Sequence, residues 1–325
     1  MRWIKLLLSG FMFAATALGA AVQVASSAEE WIQQDCGLVE GFNAVWGFSR
    51  DDVYVVGMRG TIVKFDGRSC RPQVNGTFES LFGVWGTSNS DLWAVGERGT
   101  IVHSDGGAWR PMHTHSVTES NLAAVWGTSR DDVFAVGENG TILHYDGSSW
   151  KVQESGTQAH LRTIWGTSPR NVYVVGSGAT LLHFDGARWR NILADSTAIG
   201  EVDALWGSPG NSVLIVGSET RWVSTDPDSG ASTMVWSGAV FHVDPGRVPT
   251  VERVYDLDVP IGAVHVSPAG DATIVVPPRR VLHLVGSMSS VVSESAPEGI
   301  RSIWRAPNGD LFAVSRSSLF TCRLP

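Results

Sequence analysis

Short apolar runs bounded by Gly, Asp, Asn and Ser fill the chain beyond its first segment, a pattern that predicts many short strands joined by tight turns. The unit is plainest over 122–153, where strands a to d are expected at 122–128, 133–137, 141–145 and 150–153. In strand a, Leu122, Ala124 and Trp126 point one way and Ala123, Val125 and Gly127 the other, because successive side chains alternate faces. Both faces are apolar or small, so this sheet is expected to be covered on both sides by other sheets.

The unit repeats. Aligned on Trp-Gly, the copies begin at Val45-Trp46-Gly47, Val84-Trp85-Gly86, Val125-Trp126-Gly127, Ile164-Trp165-Gly166 and Leu205-Trp206-Gly207, with tryptophan spacings of 39, 41, 39 and 41 residues. Degenerate copies follow at Ala263-Val264-His265 and Ser302-Ile303-Trp304. The 59 residues from Trp206 to His265 imply an insertion, expected around 224–260. Four strands per unit make one blade. The expected fold is therefore all-β, a seven-bladed β-propeller of four-stranded antiparallel blades, with six blades as the alternative.

Counting strands locates the closure. The last copy stops at Leu319-Phe320-Thr321-Cys322, without a strand d, while Glu30-Trp31-Ile32-Gln33-Gln34 matches Ser149-Trp150-Lys151-Val152-Gln153. The mature N-terminus is expected to supply the missing strand and so remove an open sheet edge.

The turn from strand c to strand d reads Phe65-Asp66-Gly67, Ser104-Asp105-Gly106, Tyr145-Asp146-Gly147 and Phe184-Asp185-Gly186, followed in three cases by Trp109, Trp150 and Trp189. An aspartate can bond the turn's own amides, glycine supplies positive φ, and tryptophan covers the corner. Together with a whole copy such as "AVWGTSRDDVFAVGENGTILHYDGSSW", this resembles the Asp-box, or sialidase-type (BNR), repeats of exported bacterial propellers, including those of the photosystem II assembly-factor kind. The box is one residue shorter than the usual Ser-x-Asp-x-Gly-x-Thr-Trp, and the copy is more loosely similar to tectonin-type lectin repeats. The resemblance spans nearly all of the mature chain; it implies the fold and leaves the function open.

Residues 1–28 read as a signal peptide: Arg2 and Lys5, an apolar run from Leu6 to Val22, and a small-residue cleavage site ending at Ala28. Residues 29–325 are then one exported domain, periplasmic, cell-surface or extracellular, with no later run of membrane-spanning length. A formal net charge of −8 argues against nucleic acid or an anionic membrane as partner. Cys36, Cys70 and Cys322 sit at non-equivalent repeat positions and make no disulfide framework; one bridge, such as Cys70 to Cys322 across the closure, is the alternative to three incidental cysteines.

A residue present in every blade is scaffold by default. That covers Asp66, Asp105, Asp146 and Asp185, the strand-c histidines His103, His144 and His183, and the a-to-b aspartates Asp52, Asp91, Asp132 and Asp310. His113-Thr114-His115 lacks a third ligand, so no metal and no cofactor are expected. The candidates are non-repeating polar residues on the face where strand a begins: Asn43, Arg162, Asp203 and Arg301 near the channel, Arg59, Arg98 and Arg316 on b-to-c turns, and His160 and Glu201 on d-to-a connections. Arginines gather on blades six, seven and one, and acidic residues on blades two to five. A sialidase-like site would use Arg59, Arg301 and Arg316 as a carboxylate clamp with Asp203 or Glu201 as acid/base, but no channel-facing tyrosine offers a nucleophile. The preferred reading is a monomeric, non-catalytic scaffold that binds a protein partner in the cell envelope. A lectin-like propeller binding glycans, and a glycoside hydrolase or lyase at the channel mouth, are the alternatives.

Overall fold

The computed structural model describes residues 30–37, 41–112, 117–193, 201–207, 213–225, 232–244, 250–257, 263–266, 272–277, 279–285 and 288–323; between 201 and 262 only the side chain of Leu205 is described. The signal-peptide segment 1–28 and the pair His113 and His115 lie outside the described residues. The strands form seven four-stranded antiparallel sheets. Blade 1 is Phe42–Ser49, Asp52–Gly57, Ile62–Phe65 and Cys70–Pro72, strands a to d. Blade 2 is Leu81–Ser88, Asp91–Gly96, Ile101–Ser104 and Trp109–Pro111, and blade 3 is Leu122–Ser129, Asp132–Gly137, Ile142–Tyr145 and Trp150–Gln153. Blade 4 is Leu161–Ser168, Asn171–Gly176, Thr180–Phe184 and Trp189–Asn191, and blade 5 is Glu201–Gly207, Val213–Thr225, Ser232–Asp244 and Thr250–Leu257. Blade 6 is Ala263–Val266, Ala272–Val276, Arg280–Val285 and Met288–Ser293. Blade 7 takes Ser302–Arg305, Leu311–Val314 and Leu319–Cys322 from the C-terminal end and Trp31–Gln34 from the N-terminal end, with Trp31 opposite Cys322 and Gln34 opposite Leu319. Strands a of successive blades touch in chain order, and strand a of blade 7 touches strand a of blade 1.

The Trp-Gly pair has a packing cause. A Cβ added to Gly127 would stand 3.0 Å from the ring of Trp85, one on Gly166 would stand 2.7 Å from Trp126, and one on Gly47 would stand 2.8 Å from Trp304. Each of these three tryptophans therefore presses the far end of its ring on the glycine of the next blade, and interiors this tightly packed leave no room for a methyl group. In blade 6 the tryptophan position is His265, and in blade 7 the glycine position is Arg305. The smaller ring and the larger side chain change together at one seam. The buried His265 is pushed down to about 3 by desolvation, with the Arg305 charge adding to it.

The c-to-d turns behave as the motif predicts. Asp66 Oδ1 accepts from the amides of Arg68 (3.1 Å) and Ser69 (2.8 Å), Asp146 Oδ1 from Ser148 and Ser149 (both 3.0 Å), and Asp185 Oδ1 from Ala187 (2.9 Å) and Arg188 (3.0 Å). The next residue of each turn, Gly67, Gly147 or Gly186, has φ of 83°, 87° or 91°. The amide bonds, first that from Ser69, hold Asp66 below the usual carboxylate range.

Two features differ from the repeat. The extra length of blade 5 enters as an extended b-to-c hairpin, whose register pairs Ser218 with Gly238, Thr220 with Trp236 and Trp222 with Met234 before Thr225 meets Ser232. The cysteine expectation is corrected: the disulfide joins Cys36 to Cys70. Cys322 is buried at the end of strand c of blade 7, opposite Trp31 in the sheet and outside the bridge, while Cys70 opens strand d of blade 1 with its sulfur committed to Cys36.

Candidate functional site

Strands b, c and d carry a second set of polar contacts at the opposite rim, where strand a ends. His103 meets Asp91 at 2.8 Å and stacks on Trp93, His144 meets Asp132 at 2.7 Å and stacks on Phe134, and His183 meets Asn171 at 2.7 Å and stacks on Tyr173. Lys64 takes the same position in blade 1, 2.7 Å from Asp52 and over the Tyr54 ring. In each of blades 1 to 4 one such set ties strand c to the a-to-b turn, so the carboxylates and imidazoles there are committed to the scaffold.

The face where strand a begins is different. Its b-to-c turns in blades 1 to 3 place Arg59, Arg98 and Asn139 at φ of 55°, 52° and 57°, each followed by a glycine that also has positive φ. Thr61 N–H donates to Met58 O at 3.0 Å, closing a two-residue hairpin of the type that needs two left-handed residues. Gly60 has no alternative: a Cβ there would stand 2.2 Å from Thr77 O. Asparagine suits the first left-handed position, and blade 3 has it; arginine does not, and blades 1 and 2 carry arginine anyway.

These turns are joined into an arc across blades 7, 1 and 2. Phe42 N–H donates to Arg316 O (3.2 Å), Met58 N–H to Gly41 O (2.7 Å), Arg59 N–H to Ser80 Oγ (3.4 Å) and Arg98 N–H to Asn121 Oδ1 (2.9 Å). The side chains of Arg59, Arg98 and Arg316 are exposed along the arc, with Glu79 Oε1 3.7 Å from Arg98. Two apolar side chains stand among them, Phe78 at 91% and Met58 at 43% exposed. Phe78 is a residue that sequence reasoning passed over. The aligned position in the blade 3 to 4 connection is Gln158, so the signal was a single aromatic in a polar column.

Nearer the axis, a channel of about 260 Å³ is lined by strands a, with Phe82, Arg162 and Arg301 among mostly apolar neighbours. Arg301 Nη1 donates to Asn43 Oδ1 at 2.7 Å, and Asn43 Nδ2 donates to Leu81 O at 2.8 Å, so these two candidates are brought together and bridge blades 7, 1 and 2. Arg162 reaches the same channel from blade 4. His160 is exposed beside blade 4 and its main chain exchanges hydrogen bonds with Ser177. Glu201 opens strand a of blade 5, and Asp203 sits at a register break between Val202 and Ala204; their side chains lie outside the described residues.

The polarity read from sequence is partly internal. Glu97 accepts from Ser80 N–H at 2.9 Å and Glu138 from Asn121 Nδ2 at 3.2 Å, so two acidic residues of blades 2 and 3 lock their own turns. Among the described repeat tryptophans Trp85, Trp126, Trp165, Trp109, Trp150 and Trp189 are buried and offer no stacking platform for sugars, and Trp46 is half-buried. Tyr54 and Tyr173 are buried between blades and Tyr145 bonds Gly147 O, so none of these three lines the channel.

No protein-family model matches the chain, and no curated protein matches it. Solved β-propellers do. The structure titled YCF48 bound to D1 peptide aligns with a TM-score of 0.67 and 14% identity over 92% of this chain and 97% of that one. The WD40 β-propeller domain of Doa1 aligns with a TM-score of 0.68 and 14% identity over 91% and 97%. A streptogramin B lyase aligns with a TM-score of 0.71 and 10% identity over 91% and 98%. The shared feature is the propeller fold. Its bearers include a lyase, so fold alone does not assign a function.

Proposed function

We propose that the chain is an exported, seven-bladed Asp-box-type propeller that acts as a non-catalytic scaffold in the cell envelope, holding a protein partner on the face where strands a begin. The observation that carries this reading is the pair Arg59 and Arg98 in left-handed turns. Such conformations cost a non-glycine residue roughly 1 kcal/mol or more, and both arginines keep them at exposed positions. Strain of this kind gathers where a side chain is needed for contact. Arg316 on one side, and Phe78 and Met58 between, complete a surface of arginines and exposed apolar groups, the residue types enriched at protein interfaces. Its chemistry suits a segment with acidic and apolar side chains. The extended hairpin of blade 5 belongs to a b-to-c connection and so rises from the same face.

Two neighbours agree with parts of this. One is a propeller bound to a peptide, and another is the extracellular domain of a putative one-component system. Among the described residues no helix is long and apolar enough to cross a membrane. The test is capture from an envelope fraction by the mature protein, compared with an Arg59→Glu/Arg98→Glu/Phe78→Ser variant of equal melting temperature. One stoichiometric partner that the variant loses supports the reading. Weak, equivalent binding of several sugars on a glycan array, unchanged in the variant, would favour the lectin alternative.

A further inference from the structure

The b-to-c hairpin of blade 5 outruns its blade. Strand a leaves strand b where Glu201 is opposite Ser218, and strand d leaves strand c where Leu257 is opposite Gly238. The two middle strands continue alone, from Glu219 opposite Ser237 to Thr225 opposite Ser232, as a two-stranded ribbon roughly 20 Å long. Among the described residues no strand pairs with either arm beyond Ser218 and Gly238, so both edges of the ribbon present unpaired N–H and C=O groups. A hairpin with no third strand is marginal in water on its own.

The sequence keeps these edges open. Residues 219–225 and 232–237 are rich in β-branched and aromatic residues and contain no proline, glycine or lysine. In blades 1 to 4 the outer edge is blunted instead: strand d ends in Pro72 and Pro111 in blades 1 and 2, carries Lys151 in blade 3 and has only three residues in blade 4. The register sets Thr220 opposite Trp236 and Trp222 opposite Met234, so these four positions share one face of the ribbon. The repeat assigns the inner edge. In blade 3 Gly137 N–H donates to Thr141 O across the hairpin, and Glu138 N–H donates to Asn121 O on the strand-a side. Gly217 and Ser218 hold those two positions in blade 5, and amides alternate sides along a strand, so the amides of Thr220 and Trp222 open on the side of the axis. With seven sheets in chain order around that axis, blade 5 stands opposite the seam of blades 1 and 2, the middle of the arginine arc.

We infer that the inner edge of this ribbon, residues 219–225, takes an extended segment of the partner protein as an added β-strand. The inference rests on the reading that the face where strands a begin holds a protein partner, and it names the grip. A partner seated on the arginine arc lies on the axis side of blade 5, which is the side where the edge is open. Main-chain hydrogen bonds to the ribbon hold the segment, and every second residue of it falls on the face shared by Trp222, Met234 and Trp236.

Panning a random dodecapeptide library, displayed on phage, against the mature protein tests the assignment. Recovered peptides should bind at least tenfold more weakly to a variant in which residues 219–238 are replaced by Asn-Gly, which gives blade 5 the turn that Gly137 to Thr141 make in blade 3. Thr220→Pro removes one inner-edge donor and spares the hairpin's own bonds. It should weaken binding about fivefold, the worth of one hydrogen bond, whereas Thr220→Val should not. N-methylation at alternate residues of a synthetic peptide should abolish binding in one phase and spare it in the other, because only every second amide of an added strand faces the ribbon. The inference is overturned if no recovered peptide needs the ribbon, if folded Thr220→Pro binds as the native chain does, or if N-methylation shows no alternation. It is also overturned if sedimentation shows the mature protein paired through the ribbon with a second copy. Peptides lost on Arg59→Glu/Arg98→Glu/Phe78→Ser but kept by the shortened variant would overturn it and leave the arc standing. Peptides that need the ribbon and ignore the triple variant would uphold the added strand and count against the arc.

Discussion

At the scale of single residues, the informative positions are those where a repeated side chain changes together with its neighbour in the next blade. His265 in place of tryptophan and Arg305 in place of glycine are such a pair. His265→Trp alone should be destabilised by about 1–3 kcal/mol through overpacking against Arg305, and Arg305→Gly in the same chain should recover most of the loss, as a double-mutant cycle by urea denaturation would read. The pH dependence has a definite sign. His265 has a folded-state pKa of about 3, below the ordinary value of 6.5, so its contribution to stability is full above pH 6.5 and is lost as pH falls from 6.5 toward 3. The double variant His265→Trp/Arg305→Gly should therefore lose less stability than the native chain between pH 6 and 4. Arg98→Asn makes the contrasting case. Asparagine accepts the left-handed turn as Asn139 does, so the variant should gain about 0.5–1 kcal/mol while binding the partner more weakly, measured by thermal melting and by capture on the same sample.

At the scale of elements, the strands and turns were legible because each obeys a local rule. Strand d of blade 3 falls at Trp150–Gln153 and strand c of blade 7 at Leu319–Cys322, where alternation and turn residues placed them. The pairing of Trp31 with Cys322 followed from a count of strands. Deleting residues 29–35 should lower the melting temperature severely, since Trp31 also donates from Nε1 to Ser293 Oγ at 3.0 Å and packs at the seam with blade 6. The extra length before blade 6 was legible as a number of residues but not as a hairpin, because strands of 13 residues depart from the repeat that guided the reading. The disulfide was missed for a related reason. Comparing Cys70 with Trp109 shows a corner without its ring, but only the fold brings Cys36, beyond the end of the N-terminal strand, to that corner.

At the scale of the whole molecule, the ring separates what it repeats from what it does not. The rim where strands a end is occupied in blades 1 to 4 by paired contacts of Lys64, His103, His144 and His183, whereas the rim where they begin carries Arg59, Arg98, Arg316 and Phe78 in an arc across blades 7, 1 and 2. The sequence showed the arginines of this arc; it did not show that Glu97 and Glu138 are consumed in their own turns, because hydrogen bonds across a d-to-a connection have no signature in a linear pattern. The most direct test is a hydrogen-exchange footprint of the propeller with its captured partner. Added protection is predicted at 58–60, 77–80, 97–99 and 315–317; protection confined to the opposite rim, or spread evenly over all blades, would contradict the account.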